Sequence, residues 1–354
     1  YQYAKEVFGE EASYLRIGFS YPVPMDLIKD FASQVDTLYV IEEVEPYLEE
    51  HIRAAGIACH GKDLLPGIGE LSPKIIEEAI KVVKKEVLPM QPEKVTNRPP
   101  VLCAGCAHRA VFYELGKRKD LFISGDIGCY GLGALPPLNA MDTCICMGAS
   151  VSAGHGAAKA FKEYGVDKHV VSVIGDSTFF HSGMTSLLNV VYNKSKTITL
   201  ILDNRITGMT GHQDHPGTGY TAQGEESHEA DIEKIVKSLG VNDVKTINPL
   251  QLTELHEAID SAIKNPEPSV IIARWPCALK KLSVKDKEEF GEHVKRYIVN
   301  KEQCIGCKKC IRTGCPALRF DKENKKTSID PIMCNGCSLC AQVCPVGAIV
   351  IDRK

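Results

Sequence analysis

Residues 175–204 read GDSTFFHSGMTSLLNVVYNKSKTITLILDN. The apolar run HVVSVIGD, at 169–176, leads into this stretch, and the run TITLILDN, at 197–204, closes it. Both runs have the length of a strand and are apolar throughout, which is typical of strands buried in a parallel sheet. The intervening HSGMTSLLNVVYN has helical length and an apolar face. The stretch therefore predicts a strand, helix, strand unit in a doubly wound α/β fold.

Oxygen donors follow both predicted strands. Asp176 ends the first strand and Asn204 ends the second. In an open α/β sheet, ligands bind beyond the carboxyl ends of the strands, so a divalent cation could bridge these two side chains. The alternative is an ordinary βαβ unit in which Asp176 ends a strand and Asn204 forms a turn.

Composition and charge restrict the possible functions. The chain has 354 residues, enough for two or three domains, and a net charge of −3, which argues against a nucleic-acid partner. No apolar run reaches membrane-spanning length and no signal peptide is present, so we expect a cytoplasmic protein with no membrane partner. The opening YQYAKEVFG lacks a strand-forming or glycine-rich start, so we expect a longer N-terminal part. Fifteen cysteines, several in C-x-x-C pairs, indicate metal centres rather than disulfides.

The segment 296–354 contains a repeated cysteine motif, CIGCKKCIRTGCP followed by CNGCSLCAQVCP. The second copy has the bacterial ferredoxin spacing, in which three cysteines bind one 4Fe-4S cluster and the fourth binds the other. The spacing therefore predicts two clusters, one held by Cys304, Cys307, Cys310 and Cys344 and the other by Cys334, Cys337, Cys340 and Cys315.

The first copy departs from this spacing, because four residues rather than three separate Cys310 from Cys315. This leaves the geometry and nuclearity of its cluster open. A zinc ribbon is the alternative, but tetrahedral zinc has no use for two cysteine triplets and two Cys-Pro pairs. Lys and Arg residues in the segment would offset the negative charge of two clusters and of an acidic partner.

Four more cysteines precede this tail: Cys103 and Cys106 in CAGCAHR, Cys129 in GDIGCYGLG and Cys277 after IIARWP. If the fold gathers them, four thiolates can enclose a third 4Fe-4S cluster. The alternative is a zinc half-site at the C-x-x-C pair, with Cys129 and Cys277 as small buried residues. The other cysteines have no partner at ligand spacing and are expected in the core: Cys59, Cys144 and Cys146.

The Gly-Asp and Asn pattern of 175–204 resembles the magnesium and diphosphate motif of thiamine diphosphate enzymes. The resemblance implies that Asp176, Asn204 and the carbonyl of Ile206 hold Mg²⁺, with Gly175 and Ser177 beside the diphosphate. Ser177 stands where these enzymes usually have glycine, a departure that the 2-oxoacid:ferredoxin oxidoreductases tolerate. The cysteines at 103, 106 and 129 resemble the pattern of that family, in which a fourth, late cysteine completes a cluster near the thiamine.

Two glycine-rich runs, at 125–137 and 146–161, can bring backbone amides close to a phosphate. The second continues into a helix whose N-terminus would attract an anion. By the resemblance, the residues that wrap thiamine diphosphate are Gly128, Cys129, Met147 and Gly148.

RITGMTGHQDHPGTG, at 205–219, resembles the family's loop over the cofactor. Candidates for proton transfer or for contact with a substrate carboxylate are His181, His212 and His215. A surface or structural role is the alternative for each.

We expect four regions: a small α/β domain at 1–92, a thiamine diphosphate domain at 98–280, a charged connector at 281–295 and a dicluster ferredoxin domain at 296–354. The first resembles the transketolase C-terminal-like swivel domain of the family.

In the first region, LRIGFS and TLYVIEE predict strands. PMDLIKDFASQ, PYLEEHIRAAG and SPKIIEEAIKVVKKEV predict helices, the last with Ser72 as N-cap and Pro73 at its first position. We interpret Glu42, Glu43 and Glu45 as structural, at a strand end and a helix start, and not as catalytic.

The motifs CAGCAHR, GDSTFFHSG, MTGHQDHPGTG and DIGCYGLGALPPLNAMDTCICMGAS together resemble the indolepyruvate-type large (alpha) subunits of this family, over nearly the whole chain. The resemblance implies oxidative decarboxylation of aryl pyruvates to aryl-acetyl-CoA and CO₂. Thiamine diphosphate, Mg²⁺ and coenzyme A take part, and electrons pass through 4Fe-4S clusters to ferredoxin. The alternatives are a subunit of a pyruvate-type or other 2-oxoacid enzyme, and an electron-transfer subunit whose α/β part is only a scaffold.

The resemblance also implies a small (beta) subunit and a hetero-oligomer. Thiamine enzymes bind the aminopyrimidine in a second domain that supplies a glutamate, and no such domain fits within residues 1–92. We therefore expect an incomplete catalytic unit that holds cofactor and clusters but turns over poorly without the missing pyrimidine-binding domain.

Overall fold

The computed structural model describes residues 1–81, 99–291 and 296–352. The chain divides into two compact units, Tyr1–Asn97 and Arg98–Lys354, and each is described by itself. The expected domain boundaries at 92 and 98 lie outside the described residues, as does the end of the expected connector.

Helices form the regular structure of the first unit. They are α1 Gln2–Phe8, α2 Met25–Ala32, α3 Tyr47–Ala54 and α4 Pro73–Ile80. As predicted, α4 begins with Pro73 after the N-cap Ser72, whose side chain accepts a hydrogen bond from Ile75 N at 3.3 Å. The predicted continuation of this helix beyond Lys81 lies outside the described residues.

The prediction of two strands in the first unit is wrong. Residues 15–20 have no regular structure, and within 37–43 only Tyr39 pairs, in a single parallel bridge to His60. A ladder needs an extended neighbour along its whole length, and within the described residues this pairing stops after one bridge. Leu15 and Ile17 of the first segment and Leu38 and Val40 of the second pack instead in the small core around Ile28 and Ile52.

The acidic residues at 42 and 43 hold backbone amides. The Glu42 carboxylate accepts hydrogen bonds from Leu48 N at 2.8 Å and Glu49 N at 3.0 Å, at the start of α3. Glu43 accepts one from Leu71 N at 2.9 Å. A carboxylate at a helix N-terminus satisfies free amides and the helix dipole, which confirms the structural interpretation of Glu42.

Within the described residues, the second unit is built on a parallel sheet of six strands. They are β1 Leu121–Gly125, β2 Thr143–Cys144, β3 His169–Gly175, β4 Ile198–Asp203, β5 Asp243–Ile247 and β6 Ser269–Arg274. Their order is β2-β1-β3-β4-β6-β5, and every neighbouring pair is parallel. The predicted doubly wound α/β sheet is confirmed.

The central strands are buried because helices cover both faces of the sheet. Leu200 and Ile201 are neighbours in β4 and point to opposite faces. Leu200 packs in one core with Phe112 and Leu255, while Ile201 packs in the other with Phe179. This explains why β3 and β4 are apolar at almost every position.

The helices of this part are α5 His108–Leu115, α6 Ala149–Tyr164, α7 Asp176–Thr178, α8 Met184–Tyr192, α9 Ile232–Ser238, α10 Leu252–Lys264 and α11 Val284–Phe290. A π-helical turn, Phe179–Gly183, joins α7 to α8, so the helix begins at Asp176 rather than at His181. Such turns often occur at functional sites. Among the described residues, no helix is both long enough and apolar enough to cross a membrane.

The tail contains two small antiparallel ladders. β7 Tyr297–Val299 pairs with β10 Ile349–Ile351, and β8 Leu318–Asp321 pairs with β9 Lys326–Ile329. The short helix α12 Leu339–Gln342 lies between them in sequence. Leu339 is buried against Ala107 and Ala110, so the tail packs directly on the start of α5.

A buried carboxylate joins α5 to α10. The side chain of Glu114 is 3% exposed and lies 2.7 Å from His256 Nδ1 and 3.6 Å from Arg118 Nε, and it also contacts Lys117 Nζ. Burial raises the pKa of Glu114, but the hydrogen bonds from His256 and Lys117 outweigh burial, and the net pKa is lowered.

We expect Glu114→Gln to lower the free energy of unfolding at pH 7 by about 2 kcal/mol, because it removes the negative charge opposite three basic groups. The folded pKa of Glu114 lies below its unfolded value, so this contribution is present above about pH 4.3 and is lost as pH falls through the folded pKa. Thermal unfolding at pH 7 and at acid pH measures the difference. The exposed Glu257→Gln variant should unfold like wild type, and an equal loss for Glu114→Gln at both pH values would contradict the argument.

Candidate functional site

The residues singled out by the sequence gather at the carboxyl edge of the parallel sheet. β1, β3, β4 and β6 lie side by side in that order. Cys129 follows β1, Asp176 follows β3, Asn204 follows β4 and Cys277 follows β6. Because these strands are parallel neighbours, their end loops form one continuous site.

Asp176 is held by the backbone at this edge. The residue is 3% exposed. Its Oδ2 accepts hydrogen bonds from Asn204 N at 3.1 Å and Arg205 N at 2.9 Å, and its Oδ1 accepts one from Ser177 N at 2.8 Å. The carboxylate is therefore fixed against the loop that carries Asn204 and Ile206. Carboxylate, amide and carbonyl oxygens are the donors that Mg²⁺ prefers, so these residues fit a magnesium diphosphate group.

His215 is buried beside Asp176. Its Nε2 lies 3.1 Å from Asp176 Oδ2, and its ring lies against Phe180 at a centroid distance of 5.6 Å. His215 Nδ1 accepts a hydrogen bond from Gly217 N at 3.1 Å. Because Nδ1 is an acceptor, the neutral ring carries its proton on Nε2, the nitrogen that faces Asp176.

His108 was not predicted as a site residue, although it lies in the quoted CAGCAHR motif. It is buried, and its Nε2 lies 3.3 Å from Asn204 Nδ2. Burial lowers the pKa of His108 to about 4, with Asp176 partly opposing the shift. The neutral ring can accept a hydrogen bond from the Asn204 amide group, which would turn Asn204 Oδ1 away from His108.

Glycines at this edge allow other side chains to lie directly against the backbone. Gly148 has a φ of 84°, and a Cβ there would overlap Ser182 Oγ. A Cβ on Gly128 would overlap the Tyr130 ring. The Tyr130 hydroxyl in turn accepts a hydrogen bond from Gly175 N at 3.1 Å. These positions accept only glycine, which fits a loop that passes close to a bound phosphate.

A carboxylate of the chain itself occupies the N-terminus of α6. Asp126 is fully buried, and its carboxylate accepts hydrogen bonds from Gly148 N at 2.9 Å and Ser150 N at 3.1 Å. These are amides that a phosphate at this helix end would need. The expected anion site at the helix N-terminus is therefore filled by Asp126.

The four cysteines that precede the tail line one pocket: Cys103, Cys106, Cys129 and Cys277. Gly208 shows how close the pocket is to the predicted magnesium ligands. A Cβ on Gly208 would lie 3.8 Å from Cys277 Sγ, 4.0 Å from Cys129 Sγ and 3.8 Å from Asn204 Nδ2.

Burial raises the pKa of Cys106 to about 12, and burial together with the other cysteines also raises the pKa of Cys129 and Cys277. Free thiolates are thus unfavourable in this pocket. A coordinated metal deprotonates such thiols, so four cysteines gathered here fit a bound iron–sulfur cluster.

Two pockets in the tail are each lined by four cysteines. One contains Cys304, Cys307, Cys310 and Cys344, and the other contains Cys315, Cys334, Cys337 and Cys340. The structure therefore brings together the same two sets that the ferredoxin spacing predicts, with the fourth cysteine exchanged between the copies. Ala348 N donates a hydrogen bond to Cys344 Sγ at 3.2 Å, a contact of the kind that tunes cluster potentials.

The irregular spacing of the first copy is absorbed locally. Ile311–Thr313 form a 3₁₀ turn, and Gly314 ends it with a φ of 70°. The turn accommodates the additional residue, so Cys310 and Cys315 still reach their separate pockets.

Within the described ranges, no group of three His, Cys, Asp or Glu side chains is placed to hold one metal ion. A tetrahedral zinc would need such a group. In a 4Fe-4S cluster each cysteine binds a different iron, so its four ligands stand farther apart.

The three histidine candidates do not converge. His215 lies beside Asp176, whereas His212 Nε2 lies 3.8 Å from Cys277 Sγ and His181 is exposed on the π-helical turn. Met147, which the resemblance places beside thiamine diphosphate, is also exposed.

The expectation that the remaining cysteines lie in the core is wrong for Cys144 and Cys146, which are exposed. Cys59 is partly buried and packs against the core around Ile28 and Ile52. Cys144 belongs to β2, an edge strand of two residues that no further strand covers within the described sheet.

Two family models match the second unit. The C-terminal TPP binding domain of thiamine pyrophosphate enzymes matches residues 126–273, and the 4Fe-4S dicluster domain matches residues 303–348. The first match contains Asp176 and Asn204, and the second contains all the tail cysteines.

Curated relatives match the whole chain. It is 37% identical to the indolepyruvate oxidoreductase subunit IorA of Pyrococcus horikoshii, over 100% of this chain and 59% of that protein. It is 39% identical to the subunit of the same name from Methanothermobacter thermautotrophicus, over 99% of this chain and 58% of that protein. The chain thus spans less than two thirds of the length of these relatives.

A third relative matches only a short part of the chain. The pyruvate synthase subunit PorD of Methanothermobacter marburgensis is 43% identical over 56 residues, which cover 16% of this chain and 64% of that protein. The matches over nearly the whole chain are to IorA. Together with the two family models, they show that the chain belongs to the same family as these oxidoreductase subunits, with a TPP binding domain followed by a 4Fe-4S dicluster domain.

Proposed function

We propose that this chain is the cofactor-binding and electron-carrying part of an enzyme that oxidatively decarboxylates aryl pyruvates to aryl-acetyl-CoA and CO₂, with ferredoxin as electron acceptor. The observation that carries the proposal is the position of Gly208, in contact range of Asn204, Cys277 and Cys129 at once. A magnesium diphosphate site and a four-cysteine pocket that share one loop can couple decarboxylation to electron removal.

Asp176, Asn204 and the carbonyl of Ile206 would hold Mg²⁺, and the turn at Gly128 would approach the diphosphate. Bound thiamine diphosphate supplies the electron sink for decarboxylation of a 2-oxoacid. The backbone amides on Asp176 keep its carboxylate oriented before the cofactor binds.

We assign different roles to the histidines. His215 holds a proton on Nε2 against Asp176 and, at 3% side-chain exposure, is shielded from water. Its role is to position the carboxylate. His212 lies at the cysteine pocket, where an Nε2 proton can donate to Cys277 Sγ. His181 is the candidate that remains accessible for contact with a substrate carboxylate.

The aryl preference rests on the names of the relatives that match the whole chain, while the small subunit and the ferredoxin partner rest on the resemblance of the sequence motifs. The PorD likeness covers only 16% of this chain and therefore supports no particular substrate. Coenzyme A as acyl acceptor follows from the reaction proposed.

Iron and acid-labile sulfide in the chain, purified without oxygen, test the site. We expect about twelve irons per chain, in three four-iron clusters. Calorimetric titration with thiamine diphosphate should show binding with Mg²⁺ and none after chelation of divalent ions. A count of about eight irons would contradict the cluster at Cys103. If thiamine diphosphate did not bind, only the electron-transfer alternative would remain.

Assembly of the complete large subunit with its small subunit tests the reaction. Reduction of ferredoxin with coenzyme A and indolepyruvate should exceed that with pyruvate or 2-oxoglutarate in kcat/KM. A preference for pyruvate would support the pyruvate-type alternative. Full activity of the 354-residue chain alone would contradict the expectation of an incomplete catalytic unit.

A further inference from the structure

The loop of Cys103 and Cys106 touches a cysteine loop of the tail. Asn335, in the second ferredoxin motif, donates a hydrogen bond from Nδ2 to Ala104 O at 2.9 Å. Gly105 has a φ of 75°, and a Cβ there would overlap the Asn335 side chain. The Asn335 side chain of one cysteine loop thus lies directly against the backbone of the other.

One buried arginine joins the same two loops. Arg109 is 2% exposed, and its Nη1 donates to Thr313 O at 2.9 Å, next to Gly314 and Cys315. Its Nη2 donates to Cys103 O at 3.2 Å and also to Leu102 O. A single guanidinium therefore fixes the backbone before Cys103 relative to the turn before Cys315.

The charge of Arg109 has no carboxylate partner among the described residues, and its Nε has no hydrogen-bond partner there. The ionisable groups that act on it are cysteines of two different pockets, led by Cys315 and followed by Cys106, Cys337 and Cys103. A buried cation is costly unless an anion balances it. Iron–sulfur clusters with four thiolate ligands carry net negative charge, so two clusters here would supply that balance.

We propose that Arg109 is a positioning residue that holds the Cys103 cluster and the Cys315 cluster at a fixed separation and raises the reduction potential of both. The inference rests on the proposed function, since it requires a cluster in each pocket. A nearby positive charge favours the more negative, reduced state of a cluster. In the transfer that Arg109 supports, one electron leaves the first cluster and reduces the second, and no bond forms or breaks.

The charge is tested with Arg109→Gln, which keeps an amide donor and loses the cation. Potentiometric titration followed by electron paramagnetic resonance, on the anaerobic chain with about twelve irons, should show both clusters harder to reduce. We expect about a tenfold change in the reduction equilibrium, about 59 mV for one electron. The matched control is Arg312→Gln, which removes an exposed cation from the turn that contains Thr313. It should shift neither potential by more than a third of that change.

The positioning role is tested with Arg109→Lys, which keeps the charge but cannot reach three carbonyls at once. Hydrogen exchange of the amides at 312–315 should accelerate at least about tenfold, because the bond to Thr313 O is lost. The potentials should stay near those of wild type. This variant also provides the test if Arg109→Gln does not fold.

Unchanged potentials in Arg109→Gln, or unchanged exchange in Arg109→Lys, with twelve irons present, would overturn the role of Arg109 and leave the proposed function intact. A count of about eight irons in the wild-type chain would instead contradict the Cys103 cluster and with it the proposed function. The two failures are therefore distinguishable by the iron content.

Discussion

Asp176→Asn is expected to weaken thiamine diphosphate binding in the presence of Mg²⁺ at least about 100-fold, about 2.7 kcal/mol. The substitution removes the anionic oxygen that a hard divalent cation prefers. It also disturbs the site itself, because both carboxylate oxygens accept backbone N–H groups, from Ser177 on one side and from Asn204 and Arg205 on the other. An amide has one oxygen, so its NH₂ group would face a donor whichever way it turned.

Calorimetric titration with thiamine diphosphate measures the effect, at fixed free Mg²⁺. Asp214→Asn provides the control, because this carboxylate lies one residue from His215 but is exposed. We expect wild-type affinity for the control. Iron content should be unchanged in both variants, since no cysteine is altered. Wild-type affinity in Asp176→Asn would place the diphosphate elsewhere in the chain.

The features that the sequence predicts well are those with a strong periodic or spacing signal. β3 and β4 are central strands with helices on both faces, so nearly every position must be apolar and the run is easy to recognise. Ser72 and Pro73 mark the start of α4 with residues whose preference is local. The cysteine spacing of the tail likewise reflects the geometry of the cluster itself.

The features that the sequence does not predict depend on distant residues. Arg109 and Asp126 look like ordinary surface residues of the sequence until folding brings Thr313 and Gly148 to them. The missing strand at 15–20 has the right composition for a strand, but no neighbouring segment forms a ladder with it in the described residues. Composition alone cannot identify the partner that decides each of these cases.

One sequence signal was available for Arg109 and His108. Both follow the C-x-x-C pair directly and begin α5, where most neighbours are small or apolar. A cation and an imidazole on a helix that packs into the core must be paired or neutral when they are buried. His108 is neutral at pH 7, since burial lowers its pKa to about 4. Burial also lowers the pKa of Arg109, and the cysteines of two pockets oppose that shift.

Cys277→Ser is expected to remove one whole cluster and to lower ferredoxin reduction by the assembled enzyme at least about 100-fold. Loss of an outer-shell partner of a metal site already costs about 10- to 100-fold, and here a ligand is lost. Serine oxygen is a hard donor, while iron–sulfur clusters select soft thiolates. Iron should fall from about twelve to about eight per chain. Thiamine diphosphate binding should persist, because Asp176 and its amides are untouched.

The comparison with Cys144→Ser separates ligand loss from a general effect of removing a thiol. Cys144 is exposed and lies outside the three four-cysteine pockets, so its variant should retain iron and activity. If Cys277→Ser retained about twelve irons, the pocket would bind its cluster through other ligands. If it lost iron but kept activity, electrons would leave the thiamine site by a route that avoids Cys103 and Arg109. Only the loss of both iron and activity requires the cluster at Cys277 to connect decarboxylation with the tail.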